Sequence, residues 1–198
     1  MAKRIFDLVG AILALLMLAP LLAAIALWIK LDSPGPVLFR QQRVGRGGRE
    51  FSIRKFRTMV ADAAARGPPL TVGADPRITR AGAFLRRSKL DELPQLLDVL
   101  AGHMSLVGPR PEVPVYVARY PAELRDRVLA LRPGITDPVS LELADENDLL
   151  ARAADPEREY IEVLLPRKLR AAVAYAEHAN LWTDLRVIVR TLVLLVRR

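Results

Sequence analysis

The sequence contains no cysteine and only two histidines, His103 and His178. Disulfide bonds and thiolate metal sites are therefore excluded, and two histidines are too few for a histidine-rich metal site. A metal ion bound by this chain would be held by oxygen atoms, which are the ligands that magnesium and manganese prefer. Aromatic residues make up 6% of the sequence, so a platform that stacks nucleic-acid bases is not expected.

The sequence also has fewer acidic than basic residues. It contains 22 aspartates and glutamates and 30 lysines and arginines, which give a net charge of +8. This excess implies an anionic partner: a nucleic acid, a phosphate-bearing ligand or an acidic lipid surface. Hydrophobic residues nevertheless make up 52% of the 198 residues. High charge and high apolar content together favour a membrane surface, and we expect no nucleic acid among the partners. A chain of this length accommodates one core plus a membrane element.

Charged residues are absent from residues 8–29, a segment long enough to cross a bilayer core of about 30 Å. Pro20 lies near its middle, where a proline removes a backbone hydrogen bond and bends a helix. Lys3 and Arg4 precede the segment and Lys30 follows it. Because basic flanks stay on the cytoplasmic side, this pattern predicts a re-entrant helix–break–helix hairpin over residues 1–32. A kinked helix that crosses the bilayer is the alternative.

Two strands are predicted over residues 37–44 and 50–59, with Gly45-Arg46-Gly47-Gly48 as the turn of an antiparallel hairpin. Lys55 and Arg57 fall on one face of the second strand because side chains alternate along a strand. This basic row would face a ligand. The alternative is an ordinary solvated face.

Residues 88–100 form the stretch around which we expect the chain to be organised. An apolar stripe at helical spacing follows Pro94, which fits best in a first helical turn. Asp91 and Glu92 would then lie at or just before a helix N-terminus, where free N–H groups and the helix dipole favour an ionised carboxylate. Such a carboxylate suits a nucleophile or a metal ligand. The alternative is a capping box formed by Ser88 and Asp91.

Two proline-containing loops follow. Pro109 and Pro111 hold Arg110 in an extended backbone, and a guanidinium positioned in this way suits a phosphate or a nucleotide. The alternative is a loop that only turns a corner. Arg132 opens the second loop of this kind, Arg132-Pro133-Gly134.

The C-terminal third is expected to be helical, with one helix broken at Pro166. Residues 185–198 are apolar with arginines interspersed and follow Trp182. This pattern predicts a basic amphipathic helix that lies on the membrane interface. A core helix or a dimerising helix is the alternative.

Taken together, these segments resemble the bacterial sugar transferase family, the small monotopic phosphoglycosyl transferases. The similarity runs over nearly the whole chain. The matching segments are residues 33–39, 55–59, Lys89-Leu90-Asp91-Glu92-Leu93-Pro94-Gln95, residues 104–111 and residues 132–136. Each alone is modest evidence, but five in this order at compact spacing are specific.

The resemblance implies a mainly helical α+β membrane protein, with residues 1–32 as a membrane hairpin and residues 33–198 as a cytoplasmic catalytic domain with membrane-surface helices. Its location would be the cytoplasmic face of a bacterial inner membrane. A UDP-sugar would give its sugar phosphate to a polyprenol phosphate, usually undecaprenyl phosphate, and release UMP. This would be the first membrane step of a polysaccharide or glycoprotein pathway.

The family's catalytic Asp-Glu pair falls on Asp91 and Glu92. The resemblance implies that the aspartate forms a phosphosugar intermediate and that Mg²⁺, held by this pair, assists. It associates Pro109-Arg110-Pro111 with the nucleotide and Arg86 with phosphate, and it places the break of the re-entrant helix at Pro20. The basic residues Lys55, Arg57 and Arg132 complete the expected substrate-binding set.

One position departs from the family, since Ala144 stands where relatives often have an arginine. This puts one substrate contact in doubt. The sugar and the oligomeric state stay open, a homodimer included. The alternative function from another class is a membrane-anchored basic scaffold that binds anionic lipids without chemistry.

Overall fold

The computed structural model describes residues 1–67, 75–139 and 146–196 of the chain. Ala144 lies outside these residues. The fold is mainly helical, with two small sheets. The helices are α1 (Ala2–Asp32), α2 (Ala63–Arg66), α3 (Arg80–Ser88), α4 (Leu96–Leu100), α5 (Pro114–Val117), α6 (Ala122–Leu129), α7 (Glu146–Arg152), α8 (Pro156–Glu159), α9 (Leu165–His178) and α10 (Leu181–Val196). A 3₁₀ helix (Leu90–Gln95) precedes α4, and a π-helix (Tyr160–Leu164) precedes α9.

The continuous course of helix α1 differs from the predicted helix–break–helix hairpin. The sequence predicts two helices separated at Pro20, but the helix runs without interruption from Ala2 to Asp32 with Pro20 inside it. A proline interior to a helix costs one backbone hydrogen bond and does not by itself end the helix when the turns on either side are strongly helical. Among the described residues, α1 is the one helix with the length and apolar composition of a membrane span.

The predicted hairpin is confirmed. Strands β1 (Leu38–Val44) and β2 (Glu50–Phe56) pair antiparallel, from Leu38 opposite Phe56 to Val44 opposite Glu50. A short 3₁₀ turn over Arg46–Gly48 joins them, and Gly47 adopts a φ of 69°, which favours glycine.

A second sheet was not expected from the sequence. Strands β3 (Ser105–Val107) and β4 (Gly134–Thr136) pair in parallel. They bring the two proline-containing loops side by side, and a Cβ atom on Gly134 would lie 2.1 Å from the amide nitrogen of Gly108. Only glycine permits this approach, so the backbone of the second loop supports the first.

The two halves of α1 lie in two different hydrophobic clusters, and helix α1 contacts α3, α4 and β3. Ala11, in the first half, is fully buried in a cluster that includes Phe51 and Ile53. Ile29, in the second half, lies in another cluster with Phe56 and Leu85. Since both clusters include residues of β2, the long helix is attached to a single body along its length.

Polar contacts also attach both ends of α1. Near its start, Lys3 forms an ion pair with the fully buried Asp184 of α10, and the buried Asp7 accepts hydrogen bonds from the hydroxyl of Ser105 and the amide of Leu106. At its end, the carboxylate of Asp32 accepts from the amide of Ala81 at 3.1 Å. Exposed apolar side chains lie between these attachments, including Leu16 and Met17.

The C-terminal helices form a third cluster, in which Leu164, Leu165 and Leu169 pack with Val128 of α6. The predicted break at Pro166 is wrong, because the chain passes from the π-helix into α9 with Pro166 in the first turn. A proline at the start of a helix lacks only an N–H group that has no helical partner there.

Candidate active site

The site is built around the junction between α3 and the following 3₁₀ helix. Helix α3 ends at Ser88, and Lys89 then adopts a left-handed conformation with a φ of 57°. This turn places Asp91 and Glu92 in the first turn of the 3₁₀ helix, as the position of Pro94 predicts. The hydroxyl of Ser88 donates to carbonyl oxygens of α3, so the capping-box alternative is wrong.

Glu92 is enclosed by two cations. The Nζ atom of Lys55 lies 3.0 Å from one carboxylate oxygen, and Arg110 donates to both oxygens through its two terminal nitrogens. Burial acts to raise the pKa of Glu92, but the charges of Arg110 and Lys55 outweigh it and hold the pKa well below its usual value. Glu92 is therefore an ionised, fully paired carboxylate.

Asp91 has a different environment, although it is the adjacent residue. Both are 9% exposed, but the Oδ1 atom of Asp91 accepts no hydrogen bond from the residues that the structure describes. Burial and the charge of Glu92 raise the pKa of Asp91, and the charges of Lys55 and Arg110 oppose that rise only in part. The sequence predicts that a helix N-terminus favours the ionised form of Asp91. The pKa of Asp91 is raised instead, because loss of hydration dominates at a buried carboxylate.

Arg86 approaches the pair from α3. Its Nε atom donates to the hydroxyl of Thr58 at 2.9 Å. Burial lowers the pKa of Arg86, whereas the charge of Asp91 acts in the opposite direction. Arg86 thus lies within electrostatic range of Asp91, whereas Lys55 and Arg110 contact Glu92 directly.

Two predicted binding residues lie elsewhere. The side chain of Arg57 is buried and donates to the carbonyl oxygens of Ile29, Ser33, Pro34 and Pro36. Those bonds hold the end of α1 against the strand that carries Lys55. Arg132 is near Arg4 and Arg46, whose charges reinforce the lowering of its pKa by burial. The structure brings neither Arg57 nor Arg132 to the carboxylate pair.

The sequence comparisons show which family the chain belongs to. Residues 1–198 match the bacterial sugar transferase family. The chain belongs to this family. It is 41% identical to the UDP-glucose:undecaprenyl-phosphate glucose-1-phosphate transferase of Caulobacter vibrioides, over 96% of this chain and 67% of that protein.

Two further relatives differ in coverage. The chain is 36% identical to the UDP-N-acetylgalactosamine-undecaprenyl-phosphate N-acetylgalactosaminephosphotransferase of Aeromonas hydrophila, over 96% of this chain and 42% of the relative. It is 58% identical to the exopolysaccharide production protein PSS of Rhizobium leguminosarum bv. phaseoli, over 54% of each. The chain thus spans about two thirds of the Caulobacter relative and less than half of the Aeromonas one.

Two residues of this sugar transferase site were missed in the sequence. Thr58, which holds Arg86, directly follows Arg57 and was treated only as part of a strand. Asp98 is fully buried and accepts from both the amide and the guanidinium of Arg54, at 2.9 and 2.7 Å. This pair fixes β2 against α4 and so places the neighbouring Lys55 opposite Glu92. A charged residue inside the apolar stripe of a helix was the available signal for Asp98.

The carboxylate pair was also tested as a metal site. No group of three or more histidine, aspartate or glutamate side chains capable of holding a metal ion occurs within residues 1–67, 75–139 and 146–196. Magnesium, however, commonly uses one or two carboxylates together with substrate phosphates and water. Asp91, with one buried oxygen that lacks a partner among the described residues, fits such a partial ligand set.

Proposed function

We propose that this protein transfers a sugar phosphate from a UDP-sugar to undecaprenyl phosphate and releases UMP, as the first membrane step in the synthesis of a polysaccharide or another glycoconjugate. Family membership and the names of the relatives support this reaction. One observation carries it: two adjacent buried carboxylates, one neutralised by two cations and the other with an oxygen that accepts no hydrogen bond from the described residues.

The proposed reaction has two displacements at one phosphorus. The carboxylate of Asp91 attacks the phosphorus that carries the sugar, and the bond from that phosphorus to the UMP oxygen breaks, so that UMP leaves with the electron pair. A phosphate oxygen of the lipid acceptor then attacks the same phosphorus and releases the Asp91 carboxylate. The covalent intermediate lets the soluble donor product leave before the lipid reacts.

The cations around the pair reduce the repulsion between an anionic nucleophile and an anionic donor. Arg86 is close to Asp91, and Arg110 keeps 34% of its side chain exposed while it contacts Glu92. A guanidinium has five N–H donors, so Arg110 retains donors for a phosphate or nucleotide beyond those that it gives to Glu92. Pro109 and Pro111 restrict the backbone on either side of it.

Mg²⁺ is the proposed cofactor. Asp91 and Glu92 are the residues that would hold it, and when bound it would neutralise charge on the diphosphate. The ligand chemistry fits, because both carboxylates are hard oxygen donors and the Oδ1 atom of Asp91 accepts no hydrogen bond from the described part of the chain.

The re-entrant placement of α1 belongs to the same proposal. A helix of 31 residues is about 46 Å long and exceeds a bilayer core of about 30 Å. If α1 crossed the bilayer, its ends would lie on opposite sides. Lys3 and Asp32 instead contact the same body, residues 33–198. This supports a helix that enters one leaflet, bends at Pro20 and returns, with residues 33–198 on the cytoplasmic face of the inner membrane.

Helix α10 is proposed to lie on that membrane surface. Its exposed apolar side chains recur at helical spacing, whereas Asp184 and Val187 face inward. The exposed side chains are Leu181, Leu185, Val189, Leu192 and Val193. Arg186 lies 5.3 Å from the ring centre of the exposed Trp182, which is the mixture of charge and aromatic surface found at lipid headgroups. A dimer through this helix stays the alternative.

The reaction is tested with detergent-solubilised protein, Mg²⁺, a panel of UDP-sugars and undecaprenyl phosphate, with nucleotide release as the readout. UMP that appears with one or more donors supports the proposal and identifies the sugar. The matched control is Asp62→Asn, since Asp62 is an exposed carboxylate paired with Arg66. Release of UDP, or equal UMP release by the Asp91→Asn protein, contradicts the proposal.

A further inference from the structure

A buried polar cluster lies directly behind the Pro109-Arg110-Pro111 loop and contributes no side chain to the carboxylate pair. It consists of Arg43 of β1, Glu112 and Tyr160, the first residue of the π-helix. We refer to these three residues as the loop anchor. Glu112 is 8% exposed and Tyr160 is 4% exposed.

The loop anchor contacts the loop through both main chain and side chains. Arg43 donates to the carbonyl oxygen of Pro111 at 3.1 Å and lies 3.7 Å from the carboxylate of Glu112. The hydroxyl of Tyr160 donates to the other oxygen of that carboxylate. The carbonyl of Glu112 also accepts from the amide of Val44 at 2.9 Å. The C-terminal side of the loop is therefore bound to the hairpin and to the π-helix.

Backbone hydrogen bonds from the second proline-containing loop hold the N-terminal side of this loop. Gly134 donates to the carbonyl oxygen of Pro109 at 3.0 Å, and Gly108 donates to the carbonyl of Thr136 at 3.0 Å. Arg110 lies between these two attachments, and its guanidinium reaches Glu92 with two N–H groups. This bidentate hydrogen bond tolerates little displacement of the guanidinium. Its geometry therefore depends on the position of the loop backbone.

Removing these charged groups from water costs free energy of folding. The cluster must therefore have a role that apolar side chains could not fulfil. The Nε–H group of Arg43 is buried and donates to no acceptor among the described residues. Burial lowers the pKa of Arg43, and the charge of Glu112 opposes this most strongly. Apolar residues of similar size would avoid the cost of dehydrating these charges. They would, however, leave the carbonyl of Pro111 without a donor, and the loop without a fixed position.

The π-helix itself is part of this arrangement. Short π-helical segments are rare and occur frequently at functional sites. Here the wide turn begins at Tyr160 and ends just before Pro166, which cannot donate a backbone hydrogen bond to the preceding turn. The segment thus holds Tyr160 toward Glu112 where the chain enters α9.

We propose that Arg43, Glu112 and Tyr160 are positioning residues that set the guanidinium of Arg110 against Glu92. This inference rests on the proposed function of the pair. None of the three is proposed to touch substrate. Their effect passes through Arg110, which donates to both carboxylate oxygens of Glu92.

Tyr160→Phe tests this, since it removes one hydroxyl and keeps the ring. We expect kcat/KM for the UDP-sugar to fall about tenfold, the loss that corresponds to one hydrogen bond to a charged group. The loss should appear mainly in KM for the UDP-sugar and much less in KM for the lipid acceptor, because Arg110 lies in the loop that we assign to the nucleotide. In an Arg110→Ala background, Tyr160→Phe should cause no further loss.

Tyr175→Phe is the matched control, because Tyr175 also donates to a buried carboxylate, that of Asp184. It should leave KM for the UDP-sugar unchanged. A Tyr160→Phe effect that is equally large in the Arg110→Ala background, or equal changes in the KM values of donor and acceptor, overturns the proposal.

A second readout does not depend on turnover. Isothermal titration calorimetry of the solubilised protein with UDP reports binding of the nucleotide part of the donor. Tyr160→Phe should weaken this binding about tenfold, and Tyr175→Phe should not. If the wild-type protein releases no UMP but Tyr160→Phe weakens UDP binding as expected, the proposed reaction fails and the positioning role stands. If UMP is released and Tyr160→Phe leaves UDP binding unchanged, the positioning role fails alone.

Discussion

The Glu92 side and the Asp91 side of the candidate site differ in how many ion pairs and hydrogen bonds the carboxylate forms with the rest of the protein. On the Glu92 side, Lys55 and Arg110 already form ion pairs with the carboxylate. On the Asp91 side, Arg86 is close, and the carboxylate keeps an oxygen without a partner among the described residues. Asp91 and Glu92 are adjacent in the sequence, but their electrostatic environments differ. We infer that Glu92 fixes the charge of the site and that Asp91 is left for an external electrophile.

Replacing Asp91 should have the largest effect. Asp91→Asn keeps the shape of the side chain but removes the anionic nucleophile, so UMP release should fall by at least about 10³-fold. Membrane association, measured by flotation with vesicles, should not change. A scaffold that binds anionic lipids without chemistry would show no turnover in either protein. Residual turnover within tenfold of wild type contradicts the assignment.

Glu92→Gln should have a smaller effect on rate, about 10- to 100-fold, because the nucleophile remains. Its effect on pH dependence has a definite sign. The charge of Glu92 raises the pKa of Asp91, and its removal also leaves the charges of Lys55 and Arg110 uncompensated. Both changes lower the pKa of Asp91. The acid limb of the rate profile should therefore move to lower pH, and a shift in the other direction breaks the comparison.

Arg110→Ala should raise KM for the UDP-sugar about tenfold and KM for the lipid acceptor much less. The reason is that Arg110 lies in the loop that we assign to the nucleotide, on the side of Glu92. Arg119→Ala serves as a control, since Arg119 is exposed and lies after the end of α5. Steady-state kinetics with each substrate varied in turn provide the measurement. Equal changes in both KM values count against a nucleotide role.

Lys55→Met should have the smallest effect on rate, a few-fold, since Arg110 still neutralises Glu92. Its pH effect is opposite in sign to that of Glu92→Gln. The charge of Lys55 lowers the pKa of Asp91, so its removal raises that pKa and moves the acid limb to higher pH. When the pH–rate profiles of both variants and the wild type are recorded together, the acid limb of the wild type should lie between those of the variants. Shifts of the same sign would contradict the two-sided account.

Local features of the sequence were sufficient for several parts of this site. The position of Pro94 placed Asp91 and Glu92 in a first helical turn, and the glycine-rich turn defined both strands of the hairpin. The family resemblance indicated Arg86 and Arg110, and the structure brings both close to the pair. These features depend on neighbouring residues, which a sequence displays directly.

Features that depend on distant residues were not predictable in this way. Arg57 was expected beside Lys55 because side chains alternate along a strand. Strand β2 ends at Phe56, however, and the guanidinium of Arg57 turns to carbonyl oxygens at the end of α1. The parallel pairing of Ser105 with Gly134 joins strands of three residues each. Strands this short show no periodicity, so only the folded chain reveals them.

The central claim is that Asp91, and not Glu92, forms a covalent bond to the sugar phosphate. It is tested most directly by incubating the protein with the UDP-sugar and Mg²⁺ in the absence of acceptor, followed by mass spectrometry of the acid-quenched protein. The account predicts one equivalent of UMP and a sugar phosphate on the peptide that contains Asp91. The adduct should be lost in Asp91→Asn and retained in Glu92→Gln. An adduct on Glu92, or turnover to the lipid product with no adduct in either carboxylate variant, would contradict it.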